Sequence, residues 1–176
     1  MLEDGRPDMH EYYMGIAMAV RKRANCLGSR VGAVAVVGNR IVSTGYNGTP
    51  SKMTNCLDGG CHRCANRDKY PSGAAYDLCI CVHAEQNAML AAARFGIALQ
   101  GGAVYSTLQP CFGCMKEMLQ AGVVDVFYLH PWKHPDPEPE KQAQYLRLQN
   151  HFAHFEPVLL EDPDFAWATS RLNARV

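Results

Sequence analysis

The sequence predicts an α/β fold, a three-layer α-β-α sandwich around a five-stranded mixed sheet. Three observations carry this expectation. Short Val-rich runs of strand length alternate with Ala-, Leu- and Met-rich stretches of helical length, the pattern of βαβ units. One pair of runs is separated only by Gly38-Asn39, a hairpin signal, so an antiparallel pair joins a sheet that is otherwise mostly parallel. The chain has 176 residues and is 48% hydrophobic, which suits one domain whose core needs no disulfide staples.

The elements follow in order. Residues 11–23 read as a helix, because Tyr12, Ile16, Ala19 and Val20 recur at helical spacing. Residues 31–37 read as a buried strand and 40–46 as its hairpin partner. Residues 47–82 are rich in Gly, Asn, Asp and Cys with little periodicity. A loop that long inside a domain is functional or tied down by something else. Residues 83–95 read as a helix stopped by Gly96. There follow a strand at 103–107, a helix at 112–120 ended near Gly122, a strand at 123–129 and a proline-rich loop at 130–139. A helix at 138–152, a strand at 155–160 and a short helix after Glu161 complete the chain. Residues 1–176 thus form one predicted domain, with a Cys-rich insertion at about 47–82 and a C-terminal extension after about 130.

Charge and cysteine content narrow the function classes. Lys plus Arg equals Asp plus Glu, 17 each, which argues against a protein that holds bulk nucleic acid by net charge. The balance is uneven along the chain. Residues 20–69 hold nine basic and two acidic side chains, so a small anionic ligand such as a nucleotide phosphate fits there. Arg23, Arg30 and Lys52 are the phosphate candidates from this segment. No basic start precedes an apolar run, and no stretch is long and apolar enough to span a membrane. A cytoplasmic protein without membrane contact is expected. The 8 cysteines then point to metal or catalysis before disulfides.

The strongest chemical signal is His83-Ala84-Glu85 followed 25 residues later by Pro110-Cys111-Phe112-Gly113-Cys114. This is the H-x-E and P-C-x-x-C pattern of zinc deaminases. Cys111 and Cys114 are three apart and share a face at a helix start, where the helix dipole favours thiolates. Pro110 is tolerated there because its missing N–H would have no helical partner. His83 opens the other helix and supplies a third ligand. Three protein ligands leave one zinc position for water, the mark of a catalytic site. Glu85, two residues on, serves as a proton shuttle and not as a ligand.

These residues resemble the zinc-dependent cytidine and deoxycytidylate deaminase superfamily, closest to its deoxycytidylate (dCMP) branch. The resemblance covers residues 10–130 and includes Arg30-Val31-Gly32-Ala33-Val34, Thr44-Gly45-Tyr46-Asn47-Gly48-Thr49-Pro50, His83-Ala84-Glu85-Gln86-Asn87-Ala88 and Tyr105-Ser106-Thr107. It implies a cytidine deaminase-like fold and hydrolysis of dCMP to dUMP and ammonia at C4 of the ring. It further implies that Glu85 moves the protons, that Asn47 contacts the sugar, and that the backbone of Ala84 and of the 106–109 turn beginning at Ser106 holds the base. Asn47-Gly48 by itself also suits a plain turn. Family members are commonly homo-oligomers regulated by dCTP and dTTP, so both an oligomer and such an effector are implied here.

Six cysteines remain. Several members of this branch carry a second, structural zinc, and Cys26 and Cys56 match two of its ligand positions. Cys61 and Cys79 are chosen as the others, with Cys64 and Cys81 as alternates; buried free thiols are the competing reading. The resemblance ends in the last third. His130-Pro131-Trp132-Lys133-His134 stands where the branch usually shows a tyrosine. Trp132 caps the site, stacks on a base or packs within its loop. Two alternative functions are carried: deamination of another cytosine-like or triazine base or nucleoside, and a catalytically silent metal-binding partner of the same fold.

Overall fold

The computed structural model of the chain describes residues 5–70, 75–133 and 138–169. Helix α1 (Met9–Arg21) begins two residues earlier than its periodicity suggested. The reason is a capping box: Glu11 N–H donates to Asp8 Oδ1 and Asp8 N–H to Glu11 Oε2, both at 2.9 Å. Strands β1 (Gly32–Val37) and β2 (Arg40–Tyr46) form the hairpin. Its two-residue turn has Gly38 and Asn39 at φ 55° and 58°, the left-handed pair that a tight hairpin needs.

Residues 47–82 are tied at their base, where Gly48 and Val82 exchange two backbone hydrogen bonds. Within the described part of this loop lie two short 3₁₀ turns, Cys56–Asp58 and Tyr76–Leu78, and the helix α2 (His62–Ala65). Helix α3 (Ala84–Arg94) follows, then β3 (Ala103–Leu108), α4 (Phe112–Gln120) and β4 (Asp125–His130). Both α3 and α4 end in Schellman caps. Gly96 and Gly122 sit at φ 69° and 79°, and the next N–H reaches back to Ala92 O and Met118 O respectively. The second cap absorbs Val123, so β4 starts later than the sequence suggested. Helix α5 (Pro139–Gln149), strand β5 (His154–Pro157) and helix α6 (Phe165–Thr169) complete the described chain. Part of the proline-rich 130–139 loop, residues 134–137 with His134, lies outside the described residues, as does the tail after Thr169.

The five strands run in the order β2-β1-β3-β4-β5. The expected mixed sheet is present, but it is evenly split rather than mostly parallel. β1 is antiparallel to both β2 and β3, whereas β3-β4 and β4-β5 are parallel. The cause is the crossover through α3. It carries the chain from β2 over β1, so β3 runs like β2 but lands beside the strand between them. On one face, Tyr13, Met14 and Ala17 of α1 pack on Val34, Val36, Tyr105 and Phe127. On the other, Ala92, Met115 and Met118 of α3 and α4 pack on Ala35, Val104 and Val126. Alternate residues of each strand therefore serve opposite layers.

Gly45 sets the height of α3 over the sheet. A Cβ there would lie 2.1 Å from Ala84 O and 2.4 Å from Ala88 N. Those backbone atoms cannot rotate away. Gly45→Ala is expected to cost about 1–3 kcal/mol by overpacking, read as a lowered denaturation midpoint, with α3 displaced.

Candidate active site

Helices α3 and α4 point their N-termini at one spot. His83 is the N-cap of α3, with φ −72° and ψ 160°. Because it is extended rather than helical, its side chain and that of Glu85 can turn to the same point. Its N–H donates to Gln86 Oε1 at 2.9 Å, which fixes the turn. Cys111 is the N-cap of α4 and Cys114 lies in its first turn. His83 Nδ1 is 3.4 Å from Cys111 Sγ and 3.5 Å from Cys114 Sγ, and the two sulfurs are 3.6 Å apart. These are close to the edges of one face of a tetrahedron with zinc–ligand arms of ~2.0–2.3 Å. Two thiols and an imidazole are also the donors zinc prefers, so the residues fit the ion.

The electrostatics agree with such a set. The hydrogen bond with Cys114 and the partnership with His83 outweigh burial and lower Cys111 to about 4. Burial disfavours a charged His83, but the hydrogen bond and charge of Cys111, with Glu85, outweigh it and raise it to about 9. Cys114, beside the Cys111 thiolate and buried, is pushed well above the usual thiol range. Glu85 is 4% exposed, and burial raises its pKa. Ser106 Oγ donates to Glu85 Oε1 at 3.2 Å, and Cys114 Sγ lies 3.7 Å from Oε2. The carboxyl is therefore aimed at the ligand set without belonging to it.

A cavity opens on Glu85, Ala84, His83 and Cys111. A second opening reaches the same ligands from the α5 side, past Phe112 and Tyr145. Of these two openings, the first includes Glu85 in its lining.

The family profile described as the cytidine and deoxycytidylate deaminase zinc-binding region matches residues 7–130. The chain belongs to this family. Curated deoxycytidylate deaminases share 42% identity over 123 residues in Schizosaccharomyces pombe and 38% over 131 residues in Mycobacterium phage D29. These alignments cover 70% of this chain in each case, but 37% of the yeast protein and 95% of the phage protein. Over the Saccharomyces cerevisiae deoxycytidylate deaminase, 38% identical, the share is 39%. The chain thus spans well under half of the two yeast relatives. Among solved structures, the dCMP deaminase of cyanophage S-TIM5, in complex with dCMP and dUMP, superposes with a TM-score of 0.62. It is 28% identical, and the match covers 86% of this chain and 98% of that one.

Within this deaminase frame, the residues singled out from sequence divide into two groups. Asn47, Ala84 and Trp132 line the cavity with Glu85 and the ligands, and Ser106 lies behind Glu85. Asn47 is also a strut: Oδ1 accepts from Val31 N–H at 2.8 Å and Nδ2 donates to Ser29 O at 2.7 Å. Trp132 N–H donates to Gln109 Oε1 at 3.3 Å. Arg23, Arg30 and Lys52 are not among the cavity's lining residues. Arg23 and Lys52 are exposed. Arg30 donates to Trp167 O at 2.8 Å and lies 4.4 Å over the Trp167 ring, which occupies it with α6. The cations that do line the cavity are Arg63 and Arg67. Arg63 lies 5.6 Å from the ring centre of Tyr76, and Arg67 donates to Leu27 O at 2.8 Å. Sequence reading passed over both. The available signal was their place in a cysteine-anchored loop that had to fold back on something.

The predicted structural ligands are also redistributed. Cys26 and Cys56 group with Cys64 and Cys81, whereas Cys61 and Cys79 form a second group with the same pair. The two alternates are therefore at the centre, and Cys26, Cys56, Cys61 and Cys79 do not form one foursome among the described groups. α2 and the Tyr76–Leu78 turn bring Cys64 and Cys81 between the other four, an outcome that spacing alone could not reveal.

Proposed function

We propose that this chain is a zinc-dependent dCMP deaminase, hydrolysing the C4 amine of dCMP to give dUMP and ammonia. The observation that carries the reading is a buried carboxyl, Glu85, set beside a three-ligand metal face on the floor of a cavity that also holds Arg63 and Arg67. His83, Cys111 and Cys114 would hold a zinc ion, which when bound would supply Lewis-acid activation of a water near neutral pH. Glu85 takes the water proton, delivers it to N3 and then assists the leaving amine. Ser106 orients Glu85 through its hydrogen bond. The Ala84 backbone and the 106–109 turn border the base, Asn47 the sugar, and Trp132 the cavity mouth. Arg63 and Arg67 replace Arg23, Arg30 and Lys52 as the phosphate contacts.

A structural zinc anchors the 47–82 loop, and the whole chain acts as one deaminase domain with that insertion and the extension after 130. A reducing cytoplasm would keep the eight cysteines available as metal-binding thiols. Among the described residues, no helix is long and apolar enough to cross a membrane. Leu90, exposed on α3, and Phe95, exposed at its C-cap, support a homo-oligomer; dCTP and dTTP as effectors rest on the resemblance alone.

Ammonia release from dCMP, deoxycytidine, CMP, cytosine and a triazine tests the reading. dCMP is expected to be the preferred substrate. Equal efficiency on dCMP and deoxycytidine would remove the phosphate contact. No release from any compound, with or without dCTP, would favour the silent metal-binding partner. Arg63→Ala is expected to lower kcat/KM for dCMP about 10–100-fold, the worth of a charge-assisted hydrogen bond, and to leave deoxycytidine turnover unchanged.

A further inference from the structure

The six cysteines outside the His83-Glu85 and Cys111-Cys114 pair of motifs fall into two overlapping groups of four. Cys26, Cys56, Cys64 and Cys81 bring their Sγ atoms within 4.8 Å of one another, and so do Cys61, Cys64, Cys79 and Cys81. Cys64 and Cys81 belong to both groups. The sulfur–sulfur contacts are 3.8 Å for Cys26–Cys64, 3.9 Å for Cys61–Cys79 and Cys64–Cys79, and 4.0 Å for Cys64–Cys81. A tetrahedron with Zn–S arms of ~2.3 Å has edges of about 3.8 Å. Two tetrahedra that share the Cys64–Cys81 edge therefore account for all six sulfurs. A disulfide needs ~2.05 Å, far below these separations. An iron–sulfur cluster held by four cysteines places those on different irons farther apart than the 4.8 Å within which each of these groups lies.

We propose that these residues form a binuclear zinc-thiolate cluster, with Cys64 and Cys81 bridging two ions. Cys26 and Cys56 complete one ion, and Cys61 and Cys79 the other. Two divalent cations against six thiolates leave a net double negative charge. Backbone donors meet it at one end: Leu27 N–H points to Cys56 Sγ and Gly28 N–H to Cys26 Sγ, each at 3.2 Å. The Arg67 guanidinium is held beside that end through its bond to Leu27 O. The cluster also has a functional position. Cys26, Cys64, Cys79 and Cys81 line the cavity together with Arg63 and Arg67, so the ions would fix the wall that carries both cations. The metal count does not depend on the deaminase reading.

The test is metal content of the full chain, purified from zinc-supplemented cells, joined to zinc-edge X-ray absorption. Three zinc ions per chain are expected in the wild type and two in Cys111→Ser/Cys114→Ser, which lacks the catalytic ligands. The absorption spectrum of that variant should show all-sulfur ligation and a short zinc–zinc vector. Two ions in the wild type and one in the variant would overturn the proposal in favour of a single structural site. Two ions in the variant without a zinc–zinc vector would overturn the bridging. Neither readout depends on turnover, so an inactive enzyme with the cluster intact would refute the function and leave the cluster standing.

Discussion

Glu85→Gln is expected to retain its zinc and lose about 10²–10⁴-fold or more in kcat on dCMP, the usual contribution of a positioned proton carrier. Gln keeps the volume and can still accept the Ser106 hydroxyl, so the site should not collapse. What it loses is the capacity to take a proton from water and return it. The variant should also melt at the same temperature as the wild type or higher, because a buried carboxyl is replaced by a neutral group. Metal analysis, calorimetry and ammonia release on one preparation separate these effects. Loss of zinc alongside activity would make Glu85 a ligand, against its geometry 3.7 Å from Cys114 Sγ and hydrogen-bonded to Ser106. Retained turnover would remove it from the mechanism.

Asp162→Asn is expected to destabilise the protein by about 3–5 kcal/mol, the cost of leaving a buried charge without its partner. Arg21 and Asp162 are 1% and 2% exposed and form a two-pronged pair at 2.8 and 2.7 Å. His130 Nε2 donates to Asp162 Oδ2 at 2.6 Å, since a carboxylate only accepts. The pair locks the end of α1 to the segment before α6, and His130 locks the end of β4 to the same point. Burial opposes the Asp162 charge, but the Arg21 and His130 hydrogen bonds outweigh it and hold its pKa at about 2. A carboxyl lowered on folding stabilises the native state fully above its unfolded value of ~3.9. That stability is lost as pH falls through about 2. The wild type should therefore lose stability between about pH 4 and 2, and the Asn variant should show a smaller loss over that window. Identical acid limbs in denaturant titrations would refute the assignment.

The legible and illegible parts of the molecule differ in a physical way. His83, Glu85, Cys111 and Cys114 were readable because each stands at a helix start, where local backbone geometry aims the side chain and short spacing defines it. Helices α3 and α4 were readable from composition and from the glycines that stop them. Sheet direction was not. Alternation of strands and helices says that β3 follows a crossover, but not that it lands beside β1 instead of β2. The Arg21–Asp162 pair joins residues 141 apart, with no period or motif to announce it. Arg30 looked like a phosphate ligand in a basic run, yet Trp167, far along the chain, occupies it.

The cysteines show where the division falls. By itself the sequence pointed from its cysteine pattern to metal, because a histidine, a glutamate and a C-x-x-C pair at helix starts are defined by local spacing. How the other six divide was decided only by the tertiary structure. A ligand group is defined by which sulfurs come within about 4 Å of one another, and that depends on how the 47–82 loop folds between α1 and α3. Spacing treated Cys64 and Cys81 as spares. The fold places them on the edge that both groups share.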